Sequence, residues 1–338
     1  MSARKRRTWS AFGDVRRMPS DYEVMTHDTN WTLRPNRKAA FEQNPSSPAN
    51  LWFHTYRDST PLRVPEWSGF RDPDRLIYRN YVTMQSDAET RLAGVLEEYA
   101  RSGATESASP QWIETLGRLF APTRYPLHGI QQVLAYIGHL APSSYITNAA
   151  AFSAADVLRR VTVVAYRTRE IELAHPQSGV GQRERRIWEE DEAWQGVRSV
   201  VENLLVAYDW GEAYTALTLV VAPTLDEVLL EQFRGLAADN GDDLTWHVLG
   251  NLGEDARRRD RWAGALAGFA VQERPENADV LRRWIDRWSP RVDDAVASLA
   301  TLFETLPEHG RSAESVVAAG RAAREALHEK AGLATAPV

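Results

Sequence analysis

Two charged pentapeptides are the residues whose types and spacing bear most directly on chemistry. They are DVLRR at 156–160 and DARRR at 255–259, and both have the form Asp-x-x-Arg-Arg. Di-iron sites in helical bundles use one carboxylate from each of two helices and a Glu-x-x-His pair from each of two others. That spacing places both ligands on one helix face, where they reach the same metal pair. Each pentapeptide matches such a turn in its spacing but not in its residue types.

The four positions where metal ligands would stand hold residues that do not bind iron. They are Val157 and Arg160 in the first pentapeptide, and Ala256 and Arg259 in the second. Alkyl side chains have no donor atom, and arginine keeps its proton because its pKa exceeds about 12. A buried arginine beside an aspartate forms an internal ion pair instead. The pattern suggests a degenerate site without metal, although two solvated charge clusters are the simpler interpretation of the spacing alone.

A literal Glu-x-x-His sequence occurs at Glu172 and His175, and a second one at Glu325 and His328. The first ends a predicted helix directly before Pro176. A chain of this length contains such matches by chance. We therefore interpret Glu172 and His175 as surface residues rather than metal ligands.

The composition excludes several classes of protein. The chain has 338 residues, 12 tryptophans, no cysteine and a net charge of −6. The absence of cysteine excludes disulfides, thiolate metal sites and iron–sulfur clusters, and the negative charge argues against nucleic-acid binding. The longest apolar run, about 215–223, is too short for a bilayer, and no apolar segment follows the basic N-terminus. We predict a cytoplasmic protein that binds neither nucleic acid nor membrane.

Helical periodicity predicts an all-α fold in which the two pentapeptides lie on long helices. A capping box at Ser86 and Glu89 predicts one helix start, and Ser109 followed by Pro110 predicts another. No segment shows convincing strand alternation. Further helices are predicted at 124–142, 143–174, 191–208, 209–238, 243–272, 276–306 and 312–331.

The N-terminal quarter of the chain differs from the remainder. Seven prolines interrupt residues 1–85, yet aromatic residues are spread through the segment, unlike in a disordered linker. We predict an extended, ordered arm that lies either on its own helices or on a partner. The predicted domains are the arm at 1–85, a helical domain lacking di-iron ligands at 86–310, and a C-terminal helix and tail at 311–338.

Segments throughout the chain resemble the hydroxylase β-subunit of bacterial multicomponent di-iron monooxygenases of the toluene, alkene and isoprene type. They follow one another in the same order and at similar spacing over nearly the whole length. The segments are RTWS (7–10), PSDYEV (19–24), SPANLWFHTYRDSTPLR (47–63), WSGFRDPDRLIYRNYVTMQ (67–85), RYPLHGIQQVLAYIGHLAPSSYITN (124–148), AYRTREIEL (165–173), WQGVR (194–198), DWGEAYTALTLVVAP (209–223) and RWAGALAGFA (261–270).

This resemblance implies a ferritin-like, ribonucleotide-reductase-like helical bundle, related by duplication to the catalytic α-subunit. The ligand helices of the α-subunits carry a D-E-x-R-H motif. Against that motif, Val157 and Ala256 stand at the glutamates and Arg160 and Arg259 at the histidines, which favours the degenerate site. The resemblance also places Glu212 near one isolated ligand position. It implies no cofactor in this chain and a di-iron centre in the partner α-subunit.

The implied role is that of a non-catalytic subunit of an (αβγ)₂ hydroxylase. The α- and γ-subunits would be its direct partners, and an effector protein, a Rieske ferredoxin and a flavin reductase would act on the assembly. The N-terminal arm would wrap over the neighbouring bundle, with two aspartates beside Pro73 that cap or pair at the contact. The predicted interface residues are Trp9, Trp31, Trp52, Tyr56, Trp67, Phe70, Asp72, Asp74, Tyr78 and Tyr81.

Two alternatives stay open at the level of the sequence. One is an enzyme in its own right, which requires a bound metal or cofactor. The other is a stand-alone helical scaffold without enzymatic role. The hydrocarbon oxidised by the assembly also stays open among toluene, phenol, isoprene and small alkenes, because the substrate pocket belongs to the α-subunit.

Overall fold

The structure, a computed structural model, describes Ser20, residues 48–306 and residues 309–333. All regular elements in these ranges are helical, which confirms the all-α fold class. The α-helices are α1 (Pro48–Phe53), α2 (Tyr78–Ser102), α3 (Pro110–Thr115), α4 (Arg124–Leu140), α5 (Ser144–Ala174), α6 (Glu184–Glu190), α7 (Glu192–Leu205), α8 (Trp210–Asp239), α9 (Asp243–Glu273), α10 (Asn277–Ala300) and α11 (Ala313–Lys330). Turns of π-helix lie at His54–Asp58 and Leu116–Phe120, and inside α8 at Thr215–Val221 and Glu227–Gln232; 3₁₀ turns lie at Trp67–Gly69, Ala121–Thr123 and Thr301–Glu304.

Side-chain caps set several helix starts where the sequence predicts them. Ser109 accepts a hydrogen bond from the backbone N–H of Trp112 at 3.2 Å, with Pro110 in the first turn of α3. Asp191 accepts from the backbone N–H of Ala193 at 3.1 Å and begins α7. These caps satisfy N–H groups that have no partner within the helix. The long helices α4, α5, α8, α9 and α11 lie within a few residues of their predicted bounds.

The predicted helix start at Ser86 is wrong, because α2 begins at Tyr78. Ser86 lies inside the helix, where its carbonyl accepts a hydrogen bond from the hydroxyl of Thr90. Tertiary packing overrides the local capping signal: Tyr81 is buried and stacks on Phe152 of α5, with 4.4 Å between the ring centroids. The first two turns of α2, which the sequence assigned to the arm, are therefore part of the helical bundle.

The chain divides into two compact units, Met1–Ser59 and Thr60–Val338. In the described part of the first unit, α1 continues into a π-helical turn, and the rings of Trp52 and Tyr56 lie 4.5 Å apart. The predicted interface residues Trp9 and Trp31 lie outside the described residues.

The second unit begins with a segment, residues 60–77, that packs on helices of its own chain. Trp67 meets Trp210 edge to face at 5.3 Å, and Phe70 lies 5.9 Å from Phe269. Burial of aromatic rings contributes a large apolar area to a core. Of the two placements that the sequence left open for the arm, this segment has the placement on its own helices.

Helix α8 forms the centre of the bundle. By length and composition it could cross a membrane, but 89% of its most apolar window is buried inside the protein. The indole N–H of Trp210 donates to the carbonyl of Ile137 at 3.0 Å, and the hydroxyl of Tyr214 donates to the carbonyl of Ala263 at 2.6 Å. These bonds satisfy the polar atoms of large side chains that would otherwise be costly to bury. The apolar character of α8 is thus that of a core helix.

Helices α5 and α9 lie side by side against this core. Helix α9 contacts α2, α5 and α8, and α5 contacts α4 and α9. The indole of Trp262 on α9 donates to the hydroxyl of Ser153 on α5 at 2.9 Å, and both groups are buried. This packing brings the two pentapeptides, one from each helix, to the same level of the bundle.

Candidate functional site

The two pentapeptides pair with each other across the contact between α5 and α9. Arg258 of the second donates to Asp156 of the first. Arg159 of the first donates in return to Asp255 of the second, at 2.8 Å. In each case the arginine at the fourth position of one motif meets the aspartate at the first position of the other. The interpretation as two separate solvated charge clusters is therefore wrong.

The fifth positions of the two motifs share one carboxylate. Arg160 donates to Oδ1 of Asp226, and Arg259 donates to Oδ2 of the same side chain. Asp226 lies on α8, and all three residues are buried. Burial by itself would raise the pKa of Asp226, but the two guanidinium groups hold it below the usual value. The aspartate is thus a stable anion between two cations.

Two side chains of helix α2 also take part in the cluster. The amide of Gln85 donates to both Asp156 and Asp255, at 2.8 Å in each case. The hydroxyl of Tyr81 donates to Asp156 at 2.8 Å. Four helices, α2, α5, α8 and α9, therefore contribute polar groups to one buried network. A network of this kind is stabilising only when its members are hydrogen-bonded.

Every charge of the network has a partner of opposite sign. Arg259 also donates to its neighbour Asp260, at 2.5 Å, and Arg159 also pairs with the exposed Glu89. The network then contains four cations and five anions, namely Arg159, Arg160, Arg258, Arg259, Glu89, Asp156, Asp226, Asp255 and Asp260. Unpaired buried charges cost several kcal/mol each, so the buried members need these partners for the bundle to fold around them.

Two carboxyl groups of the network are harder to ionise than usual. Burial raises the pKa of Asp156 to about 6, helped by the negative charge of Asp255 and opposed by Arg258. Burial likewise raises the pKa of Asp260, while Arg259 opposes the shift. A carboxyl group that shares its site with a second carboxylate keeps its proton to higher pH. As the pH falls, the network therefore takes up protons at these two carboxyl groups.

A cavity of about 20 Å³ lies where the sequence predicted degenerate ligand positions. Val157 and Ala256 line it, together with Arg160, Arg259 and Asp226. It has room for about one water molecule. Ligand helices of the di-iron type would hold a metal pair here, but the four positions that would carry ligands hold alkyl and guanidinium groups, which donate no electron pair to a metal. The carboxylate of Asp226 is already paired with Arg160 and Arg259. The residues present do not fit the metal pair.

The metal-ligand candidates elsewhere do not converge. Nε2 of His175 lies 2.7 Å from the carbonyl oxygen of Thr105, and Glu172 pairs with Arg169 at 2.7 Å. Within the part of the chain that the structure describes, no group of three or more His, Cys, Asp or Glu side chains could hold a metal ion. Glu172 and His175, which the sequence analysis interprets as surface residues, are half-buried.

The isolated carboxylate of α8 is Asp226 and not Glu212, the residue that the resemblance placed near a ligand position. Glu212 lies at the start of α8, where it accepts from Arg287 and from the indole of Trp288, both at 3.0 Å. Asp226 was missed because its sequence neighbours offer no basic partner. The signal that could have found it is its position among the apolar residues of α8, because a buried acidic residue needs a buried cation.

The predicted interface residues of the second unit are used in part by this chain itself. Phe70 and Tyr81 are buried, so their rings are not available to a partner. Oδ1 of Asp72 accepts from the backbone N–H of Asp74 at 3.1 Å, and Asp74 pairs with Arg261 of α9 at 3.0 Å. The two aspartates thus cap and pair within their own chain, and their contact with a neighbouring subunit stays a prediction.

Tyr78 differs from these residues. Its side chain is 75% exposed at the first residue of α2. It remains a candidate for contact with a partner.

A comparison with protein families finds a match to the sequence of this chain. The family described as Methane/Phenol/Alkene Hydroxylase matches residues 52–274. This range contains both pentapeptides, Asp226 and the first two turns of α2.

Two comparisons with individual proteins agree with the family match. The hydroxylase component subunit beta of the toluene-4-monooxygenase system of Ectopseudomonas mendocina is 35% identical over 304 residues, which cover 90% of this chain and 92% of that protein. A solved structure of toluene 4-monooxygenase with toluene bound in its resting active site superimposes with a TM-score of 0.76 at 35% identity, over 89% of this chain and 99% of the other.

The chain is also similar to two components of one enzyme, the phenol 2-monooxygenase of Pseudomonas sp. strain CF600. Its oxygenase component DmpL is 23% identical over 71% of this chain and 72% of its own length. Its oxygenase component DmpN is 22% identical over 67% of this chain and 43% of its own length. Two components of a single oxygenase are thus related to this chain, one of them considerably longer.

Proposed function

Because the chain belongs to the methane, phenol and alkene hydroxylase family and is a β-subunit of a multicomponent di-iron monooxygenase, we propose that it serves as a rigid support for the iron-bearing subunit. The observation that carries this proposal is the triad of Arg160, Asp226 and Arg259. It joins three helices at the level where a metal pair would join them. An ion network and a metal centre can both hold the helices of a bundle together, but only a metal centre can activate oxygen.

The partners follow from this role. A subunit of a hydroxylase component works within a complex, and the proposed direct partners are the iron-bearing α-subunit and the small γ-subunit. An effector protein, a Rieske ferredoxin and a flavin reductase would act on the assembled (αβγ)₂ hydroxylase. The similarity to a toluene-4-monooxygenase β-subunit supports an aromatic hydrocarbon as the substrate class, oxidised with O₂ in the cytoplasm. Alkenes, including isoprene, are the second substrate class to test.

The N-terminal unit is proposed to contact the α-subunit. Aromatic residues are enriched at protein interfaces, and this unit contains Trp9, Trp31, Trp52 and Tyr56. Tyr78, exposed at the start of α2, would extend the same contact. Deletion of residues 1–59 should abolish co-purification with the α-subunit, because the anchors are lost. Unchanged assembly of the shortened chain would contradict the proposed contact.

The proposed division of labour is tested by separating the subunits. The α-subunit and this chain are purified alone and together, and iron content and hydrocarbon oxidation are measured for each. We expect iron to follow the α-subunit and turnover to require both chains. Stoichiometric iron in the isolated chain would show that it is an enzyme in its own right, and failure to bind the α-subunit would favour a stand-alone scaffold.

A further inference from the structure

The buried ion network consists of two halves. The first half, which we call the aspartate pair, is Asp156 and Asp255, with the groups that donate to them, namely Tyr81, Gln85, Arg159 and Arg258. The second half is the triad of Arg160, Asp226 and Arg259. Among the residues that the structure describes, no side-chain hydrogen bond or ion pair joins the aspartate pair to the triad. Their connection therefore depends on what occupies the space between them.

The cavity of about 20 Å³ lies in this space. Both members of the aspartate pair and all three members of the triad line it. The remaining lining residues are Ser153, Val157, Leu252 and Ala256. A probe-sized volume of roughly 10–15 Å³ is enough to hold one water molecule. The cavity thus has room for one very small molecule or ion.

Two polar groups at the cavity have a hydrogen to donate and no acceptor for it. Nε of Arg259 is buried and, within the described part of the chain, has no hydrogen-bond partner, because Asp226 and Asp260 take the terminal nitrogens. The hydroxyl of Ser153 accepts from the indole of Trp262 at 2.9 Å, but none of the described residues accepts its own proton. A buried donor without an acceptor is costly, and a charged donor more so. Both groups therefore call for an acceptor inside the cavity.

The charges around the cavity argue against an ion as this acceptor. A cation cannot accept a hydrogen bond, and the guanidinium of Arg259 already brings a positive charge. A halide ion could accept one, but three carboxylates line the same space, and the whole network contains more anions than cations. Like charges this close repel each other strongly in a buried site. A neutral molecule that both accepts and donates fits better, and water is small enough.

We propose that one water molecule occupies the cavity and joins the aspartate pair to the triad. It accepts hydrogen bonds from Nε of Arg259 and from the hydroxyl of Ser153, and it donates to carboxylate oxygens of the two halves. Buried waters make about three such bonds. Helices α5, α8 and α9 are then held together by hydrogen bonds at the level where a di-iron bundle has its metal pair. The proposal concerns the interior of this chain alone, so it does not depend on the proposed subunit role.

Crystals of the full chain, alone or within the assembled hydroxylase, test the proposal directly. At a resolution that shows other buried waters, we expect a density peak in the cavity, about 2.7–3.2 Å from Nε of Arg259. Soaks with bromide and with rubidium distinguish a water from an ion, because only the two ions scatter anomalously. A cavity without density, or one with an anomalous peak, would overturn the proposal.

A matched pair of substitutions tests the hydrogen bond itself. Ala256→Thr and Ala256→Val add side chains of the same shape, and both displace the water. Only threonine brings an oxygen that can accept from Arg259 in its place. We expect the equilibrium constant for unfolding, measured in urea, to be at least about fivefold larger for Ala256→Val than for Ala256→Thr.

The same pair of substitutions at Ala297, which is exposed on α10, is the control. There the two variants should differ by less than about twofold, since threonine and valine have similar helix propensities. If Ala256→Val is as stable as Ala256→Thr, Nε of Arg259 needs no acceptor and the proposal is wrong. If neither variant folds, the crystallographic result decides.

Discussion

Helices α5 and α10 invert each other's use of charge. Helix α10 buries apolar residues such as Trp284, Trp288 and Val292, and exposes charged ones. Helix α5 buries Asp156 and Arg160 and exposes an almost uncharged row. Each side of a helix must face an environment that suits its residues. The charged side of α10 faces water, whereas the charged residues of α5 face an ion network inside the bundle.

The difference shows that burial does not by itself decide which side of a helix carries charge. The buried charges of α5 are tolerated because each one has a partner of opposite sign. Its buried side mixes these charges with Ile, Val and Ala residues. A periodic sequence pattern therefore marks the core face of α5 less clearly than that of α10.

The largest expected effect comes from removing the shared carboxylate. Asp226→Ala leaves the buried guanidinium group of Arg160 without an anion and leaves Arg259 with only Asp260, which should lower the free energy of unfolding by about 3–5 kcal/mol. Urea denaturation of the full chain measures this loss. A decrease below about 1 kcal/mol would show that the triad does not hold the bundle together.

An apolar replacement of the whole triad serves as the control. Arg160→Met, Asp226→Leu and Arg259→Met together remove all three charges of the triad. Asp260 then loses its partner Arg259, but its side chain is 30% exposed and stays in contact with water. The free energy of unfolding should then be unchanged or higher by up to about 4 kcal/mol. A loss as large as that of Asp226→Ala would attribute the effect to packing rather than to charge.

An intermediate effect is expected from Asp156 as the pH changes. Its pKa is about 6 in the folded protein and 3.8 as the ordinary value, so the folded state binds the proton more tightly. The contribution of Asp156 to stability is fully present below about pH 4 and is lost as the pH rises through about 6. The difference in unfolding free energy between wild type and Asp156→Asn should fall by about 1–3 kcal/mol over this range.

Tyr81→Phe sharpens this test. The hydroxyl of Tyr81 donates to Asp156 and favours its ionised form. Without it, the pKa of Asp156 should rise and the pH window should move upward. A pH dependence that is the same in wild type, Asp156→Asn and Tyr81→Phe would show that Asp156 does not titrate in this range.

The smallest effect is expected on the solvent side of α10. Arg287 pairs with Glu212 at 3.0 Å, and the arginine is more than half exposed. Arg287→Ala should lower the free energy of unfolding by less than about 1 kcal/mol, because water screens the pair and Trp288 still donates to Glu212. Thermal denaturation checks this. A loss comparable to that of Asp226→Ala would remove the contrast between the two helices.

The helices themselves were largely predictable from the sequence. Caps such as Ser109 and Asp191 act on backbone groups two or three residues away, so that the signal is local. The start of α2 was not predictable in this way. Ser86 and Glu89 form a valid capping pattern, but the burial of Tyr81 against α5 extends the helix to Tyr78.

The candidate site was likewise predictable only where the signal is local in the sequence. From the sequence alone, the resemblance to hydroxylase subunits predicted that Val157, Arg160, Ala256 and Arg259 stand where ligands would stand, because a match between short motifs needs only the order of residues along one helical turn. Only the tertiary structure decided that the two motifs pair reciprocally, that Asp226 joins their arginines, and that Gln85 and Tyr81 close the network. Those contacts join residues far apart in the chain, and charge pairing depends on distance in space, which residue spacing within one helix does not define.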